Sequence, residues 1–487
     1  MLRKPVWLPR APAFVLGRVP ALAIAVAIAL GLGLSGCVPG AERPELSLEV
    51  PAGYRTAAKG DADAAVPALA WWRGFRSTEL TGLMESAQLY NLDIAVAIAQ
   101  VVQADAQTGV SGAALLPSLS GSATAERQGS GALSGAGGTF SRYNAGLTAS
   151  YIVDFWGKNR ATLAASEESA TAARYNREVV ALTTMATVAN TYFQVLAAQD
   201  QIKVTRRNLA AAERILALIK SQFSGGTASQ LDLSQQEALV ATQRAAIPPL
   251  EVTVGQNITA LAVLVARAPA NFMVRGGSTT NIVVPRVTPG LPSELLYQRP
   301  DIRQAEAQLT SSNFSVDAAR AAFFPQIQLT ATNGFQSAAL ASLFGPGAWF
   351  YTLSAGLTQP LFDGFQLESQ LKLAKGQQLQ FLQAYRKAVL SAFADVENAL
   401  IALQKFTLQE RLQSDVVASS RKAFEVAETQ LRGGTVNLIT VLQAQQTLFT
   451  AENNLVTVRL NKLLAASSLF QALGGGWTPA GTLAAAQ

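Results

Sequence analysis

Between Lys158 and Ser224 the chain runs 67 residues without a glycine or proline, then meets Gly225-Gly226-Thr227. Within that run Val188, Val195, Ile202, Leu209, Leu216 and Phe223 recur every seven residues. The companion positions three residues on carry Thr191, Ala198, Thr205, Ala212 and Ile219. A sevenfold apolar repeat keeps one seam facing a partner when the helix is wound at 3.5 residues per turn, so the pattern predicts a coiled coil. At 1.5 Å per residue such a helix is about 100 Å long, several times an ordinary globular helix. Whatever this chain does, it does with a rod.

The rod occurs twice. A shift of 208 positions carries Phe223-Ser224-Gly225-Gly226-Thr227 onto Leu431-Arg432-Gly433-Gly434-Thr435, Asn190 onto Asn398 and Pro117 onto Pro325. The seam returns as Val396, Leu403, Val417, Phe424 and Leu431, interrupted only by Glu410. Beyond each Gly-Gly-Thr a returning helix is predicted; in the second half Leu442, Phe449, Val456, Leu463 and Phe470 keep the sevenfold period. Pro248-Pro249 interrupts the first returning helix. A repeat this long exceeds a solenoid unit and fits duplication of a whole helical hairpin.

Two shorter stretches in each half change period. Leu116 to Glu126 and Arg142 to Val153 alternate, with Leu119, Ala123, Leu147 and Tyr151 against Ser118, Ser120, Thr148 and Ser150. In the second half Ile327, Leu329, Ala331, Tyr351 and Leu353 oppose Gln326, Gln328, Thr330, Thr352 and Ser354. Period two over about ten residues, with a Gly/Ser loop between, is a β-hairpin. Aromatics at the strand ends, Tyr143, Tyr151, Trp349 and Tyr351, fit membrane strands with an interfacial girdle; a half-buried sheet of a soluble domain is the other reading. Four strands cannot close a barrel and lipid does not tolerate an open edge, so membrane strands would need several chains in one barrel.

Composition narrows the chemistry. Histidine is absent, which removes the commonest general base and metal ligand and weighs against an enzyme. No phosphate-binding loop is present, and the glycines at 135–138 lie in a hairpin loop rather than opening a helix. The net charge of +6 overstates the case, because Arg3, Lys4, Arg10 and Arg18 precede Cys37; without them it is +2, and no nucleic-acid surface is indicated. Cys37 is the only cysteine, so no intrachain disulfide exists. It follows a basic start and the apolar run Ala21 to Leu34, ending Leu34-Ser35-Gly36-Cys37. An ordinary signal or anchor helix would share that start. The small residues before the cysteine resemble a bacterial lipoprotein signal, in which cleavage leaves Cys37 as the acylated N-terminus.

Lipoprotein signal, hairpin, long helical hairpin, the linker motifs Gly290-Leu291-Pro292-Ser293-Glu294 and Arg299-Pro300-Asp301-Ile302, then the same order again: the chain resembles the outer-membrane efflux protein family, the TolC-like outer membrane factors, in its OprM/NodT-type lipoprotein branch. The resemblance covers nearly all of the chain beyond Cys37. It implies a mainly α protein with membrane β-structure: a homotrimer whose chains give four strands each to a twelve-stranded barrel, continued by a coiled-coil tunnel. The expected parts are a signal peptide (1–36), an N-terminal equatorial segment (37–76), a first repeat (77–268, hairpin about 116–153), an equatorial linker (269–293), a second repeat (294–473, hairpin about 324–361) and a tail (474–487).

The implied function is a passive exit duct for drugs or other small toxic solutes, with no cofactor beyond lipid on Cys37. Its implied partners are a periplasmic adaptor and an inner-membrane pump, expected to be of the resistance-nodulation-division class. A duct for protein secretion and a lipid-anchored periplasmic coiled-coil protein remain as alternatives. In the family the turns equivalent to Gly225-Gly226-Thr227 and Gly433-Gly434-Thr435 are tips that dock the adaptor. The constriction beyond them has an acidic ring whose places here are Thr440 and Gln443, a departure that leaves Asp232 as the only nearby acid of the set. Closure is then expected from packing of Leu438, Val441 and Leu442, with hydrogen bonds from Thr440, Gln443 and Asn437.

Overall fold

The computed structural model describes residues 43, 45, 50, 51, 53–55, 69–129, 138–286, 292–475 and 477. Cys37, the signal peptide, most of segment 37–76, part of the linker and nearly all of the tail lie outside the described residues.

Two helices, α1 (Thr78–Tyr90) and α2 (Leu92–Ala113), lead to strands β1 (Ser118–Gly129) and β2 (Thr139–Val153). The rod α3 is Lys158–Ser224, and α4 (Gln230–Ala245) and α5 (Ile247–Leu264) return along it. The break between α4 and α5 falls at Ala246, just before Pro248-Pro249, since proline has no N–H for the helix ladder. A linker with two short 3-10 turns leads to α6 (Pro292–Gln298) and α7 (Pro300–Ala321). Strands β3 (Gln326–Ser337) and β4 (Trp349–Thr358), rod α8 (Gln366–Arg432) and return helix α9 (Leu438–Ala472) complete the repeat. Both rods are 67 residues long, and the 208-residue shift carries one onto the other.

Each rod is sheathed by shorter helices. Alpha3 packs on α2 and α7 in one direction and on α4, α5 and α9 in the other, while α8 packs on α7 and α9. Alpha3 contains a window apolar enough to cross a membrane, but more than half of that window is buried inside the protein. It is core, not a span. The seam is also only partly as expected. Thr191, Ala198, Thr205, Ala212 and Ile219 are buried from mid-rod to near its turn, whereas Phe223 of the sevenfold line is 40% exposed. The distal buried stripe is Val204, Asn208, Ala211, Ile215 and Ile219, so within one chain the companion line faces the core and the first line drifts to its edge.

The largest core lies midway along the rods. Trp71, Trp72 and Phe75 join Tyr192, Phe193, Leu196, Leu463 and Phe470, with Trp71 stacked on Phe470 at 4.9 Å between ring centres. Two carboxylates pin the linker there, Asp200 buried and Glu79 half-buried. Asp200 accepts from Ser278 Oγ (3.0 Å), Thr279 N (2.8 Å) and Thr279 Oγ1 (2.7 Å), and Glu79 accepts from Arg275 N (2.7 Å) and Gly276 N (3.1 Å). Arg299 of the Arg-Pro-Asp motif is buried and forks onto Asp301 at 3.0 and 2.7 Å, reaching Asp395 (3.1 Å) and the Ala472 carbonyl (3.2 Å). One guanidinium thereby ties α7, α8 and the end of α9. Glu410, the polar break in the second seam, accepts from Arg459 Nε (3.0 Å) and Lys462 Nζ (2.9 Å) across the α8–α9 contact.

Candidate functional site

The four strands form one antiparallel sheet in the order β1-β2-β3-β4, so the two repeats are stitched together along β2 and β3. The register aligns residues of one kind. Leu119, Ala149, Ala331 and Leu353 stand side by side, as do Ala123, Ala145, Phe335 and Trp349. On the opposite face Ser118, Ser150, Thr330 and Ser354 form one row, and Ser120, Thr148, Thr332 and Thr352 the next. Successive strand residues point to opposite faces, so this register sorts the sheet into an aliphatic-aromatic face and a hydroxyl-amide face. Tyr143, Tyr151, Trp349 and Tyr351 all fall on the apolar face. That face is open: Leu119, Leu147, Trp349, Tyr351, Leu353 and Leu357 are exposed. The Thr148 and Thr332 hydroxyls lie 3.2 Å apart on the polar face. Among the described residues the outer edges of β1 and β4 have no strand partner.

Gly146 and Gly334 face each other across the β2–β3 seam. A Cβ on Gly334 would lie 2.5 Å from the Ala145 carbonyl oxygen and 2.7 Å from Gly146 Cα. Only hydrogen side chains permit this approach.

At the far ends of the rods the two turns have the same geometry. Gly226 and Gly434 sit at φ +75° and +70°, the left-handed region that ends a helix. Thr227 N and Oγ1 donate to the Gln222 carbonyl at 2.8 and 3.0 Å; Thr435 N and Oγ1 donate to Gln430 at 2.9 and 3.1 Å. Gly225 and Gly433 carry the rods' C-cap bonds, to Ser221 and Thr429. A Cβ added at Gly226 or Gly434 would meet nothing within 4 Å, so the requirement is conformational and the space beside each tip is free.

The expected constriction residues divide into two groups. Leu438 and Val441 are buried against Ile215, Ile219, Phe424 and Leu431 of the two rods. Their side chains pack inside the chain, on its own two rods. Leu442 is half-buried beside them, while Thr440 and Gln443 are exposed. Asp232 is a cap. Its carboxylate accepts from Ser229 N (2.9 Å) and Ser229 Oγ (2.7 Å), and these bonds hold it below the usual carboxylate range. Asn437 caps α9, its side-chain oxygen accepting from Thr440 N (3.0 Å) and Thr440 Oγ1 (2.8 Å). Sequence reasoning missed the amides buried behind these turns, Gln236 and Gln445. The signal for the second was present: Gln445 lies on the same helical face as Val441 and Leu448.

A two-faced sheet stitched from two repeats and carried on paired rods is the pattern that decides kinship. The sequence profile described as outer membrane efflux protein matches residues 83–267 and again 291–475. The chain belongs to the outer membrane efflux protein family. Pyoverdine export outer membrane protein OpmQ of Pseudomonas putida is 36% identical over 442 residues, spanning 89% of this chain and 93% of OpmQ. Toluene efflux pump outer membrane protein TtgC of Pseudomonas putida is 31% identical over 454 residues, spanning 91% and 93%. Among solved structures, the open state of the Neisseria gonorrhoeae MtrE outer membrane channel superposes with a TM-score of 0.78 at 28% identity, covering 90% of this chain and 98% of MtrE. Within an outer membrane efflux protein, the duplicated match coincides with the duplicated hairpin, sheet half and rod described above.

Proposed function

We propose that this chain is the outer-membrane channel subunit of a tripartite efflux system, a passive duct through which small solutes leave the cell. One observation carries the reading: a four-stranded sheet, greasy on one face and hydroxyl-lined on the other, ends among the described residues in two unpaired edges and continues into paired 67-residue helices. An unpaired strand edge is intolerable in lipid, so the sheet reaches the membrane only when sister subunits complete a closed barrel. Three chains give twelve strands, and the polar face then lines a wide, wet pore with no deep well to trap cargo. The family, and relatives whose names refer to pyoverdine export and toluene efflux, support small solutes over secreted proteins.

The partners follow from the absence of any energy-coupling motif: an adaptor meets the Gly225–Thr227 and Gly433–Thr435 tips, and a pump of the resistance-nodulation-division class in the inner membrane supplies the work. Lipid on Cys37 tethers the chain to the outer membrane. Of the constriction residues, exposed Thr440 and Gln443 are the groups free to meet their copies across an axis, so the resting contact is uncharged. Asp232 is occupied as a cap.

The test is Gly434→Trp, with Gly434→Ala separating the cost of the left-handed backbone from the blocked surface. The Trp variant is expected to keep a three-chain mass in detergent while losing adaptor co-purification and solute resistance. A Trp variant that exports like the parent chain would refute the docking role, and a one-chain mass for the parent would refute the barrel.

A further inference from the structure

The stripe that seats α9 on the two rods contains one misfit. Leu438, Val441 and Leu448 of α9 pack with Ala211, Ile215, Ile219, Phe424, Ala427 and Leu431. Gln445 sits on that same face at 0% exposure, and neither Oε1 nor Nε2 has a hydrogen-bond partner. A buried amide without partners loses its hydration and gets nothing back, a cost a leucine of similar size would not carry.

The first repeat lacks this arrangement. The position equivalent to Gln445 is Glu237, which is exposed and bridges Lys220 of α3 at 3.3 Å. The amide buried there, Gln236, is half satisfied: its Nε2 donates to the Ala212 carbonyl at 2.8 Å while its Oε1 has no partner, whereas both ends of Gln445 are left over. Arg244 reaches Glu213 at 2.6 Å, a third link between α4 and the rod. In the second repeat the residue equivalent to Lys220 is Glu428, which is bound to Arg432 of its own helix at 2.7 Å. Among the described residues, no hydrogen bond or ion pair joins α8 to α9 on the tip side of the Arg421–Glu452 bridge.

We propose that Gln445 is a built-in weak point: its unpartnered amide loosens the seat of α9 near the second turn, so that this turn, unlike the polar-latched first one, can leave its packed position at small cost. A transition that moves α9 off the rods lets water reach the amide and recovers what burial took, so the packed state is favoured less than its apolar contacts alone would make it. Gln445 acts here as a positioning residue; it touches no solute. The link to transport rests on the duct reading, but the local looseness does not.

The experiment is hydrogen exchange of the purified full chain, followed by mass spectrometry over peptides spanning 438–449, for the parent, Gln445→Leu and Gln445→Met. Removing a desolvation cost of the usual size slows local opening roughly five- to hundredfold, so exchange at these amides is expected to slow by at least fivefold in both variants. Gln446→Leu, on the exposed face one residue on, is expected to leave exchange unchanged. Export in cells should fall in the Gln445 variants, because the tip is now held shut. Unchanged or faster exchange in both overturns the weak point. Slower exchange with full export overturns its link to transport. A parent chain that exports nothing would instead defeat the duct reading, leaving the exchange result standing by itself.

Discussion

Gly334→Ala is the sharpest probe of how the two halves are joined. The added Cβ would lie 2.5 Å from the Ala145 carbonyl oxygen, where real carbon–oxygen contacts begin at about 3.2–3.3 Å, so β2 and β3 must part locally by about 0.8 Å. A ladder bond of about 2.9 Å stretched that far passes 3.5 Å and is lost. In water each such bond is worth about 1 kcal/mol net, but in lipid an orphaned group costs several, so losing one or two ladder bonds amounts to about 3–6 kcal/mol. The matched control is Gly356→Ala on β4, where a Cβ would meet nothing within 4 Å. Folding into lipid vesicles, read as the heat-dependent gel shift of the barrel, should fail or fall steeply for Gly334→Ala and proceed normally for Gly356→Ala. Equal folding yields for the two variants would refute the idea that this close approach fixes the β2–β3 register.

Two further outcomes can be checked on purified protein. Arg299→Met leaves Asp301 and Asp395 without their buried fork and frees the Ala472 carbonyl, and should cost about 2–4 kcal/mol in a denaturant melt; Arg299→Lys should restore only part of this, since an ammonium cannot make the paired bonds. Burial alone would raise the Glu410 carboxyl, but hydrogen bonds from Lys462 and Arg459 and their charges outweigh it and hold the group below the ordinary glutamate range. With a depressed folded value, its stabilising contribution is present above the unfolded pKa and is lost as pH falls through the folded one. Melting of the helical part should therefore weaken in that acid window, and Glu410→Gln should flatten that part of the pH profile; an unchanged profile would sink the assignment.

The first rod was legible in the sequence to the residue, because 67 positions without glycine or proline leave only one regular structure and Gly225 marks its end; the second, which carries Gly376, was legible through the 208-residue shift and its stop at Gly433. The hairpins were legible through alternation, and so was the sorting of faces within each strand. The pairing of β2 with β3 was not. It joins Tyr143 to Ser337 across nearly two hundred residues, and nothing local encodes a partner that distant. The tips read correctly as helix stops. Leu438 and Val441 share the apolar period of any core-facing residue, and periodicity cannot say which neighbour a hydrophobic face meets. The cap on Asp232 is written locally, in the Ser229-x-x-Asp232 spacing of a capping box, which charge alone does not reveal.

The identical length of α3 and α8 sets a rule for how this chain can change. Adding one residue to a single rod would push its turn outward by about 1.5 Å and swing it by about 100° around the helix axis, so the two ends would no longer be level or face the same way. Growth or shrinkage is tolerable only in matched steps on both rods and their return helices, near multiples of seven. The gene's two halves are therefore bound to keep a common measure long after their side chains have diverged.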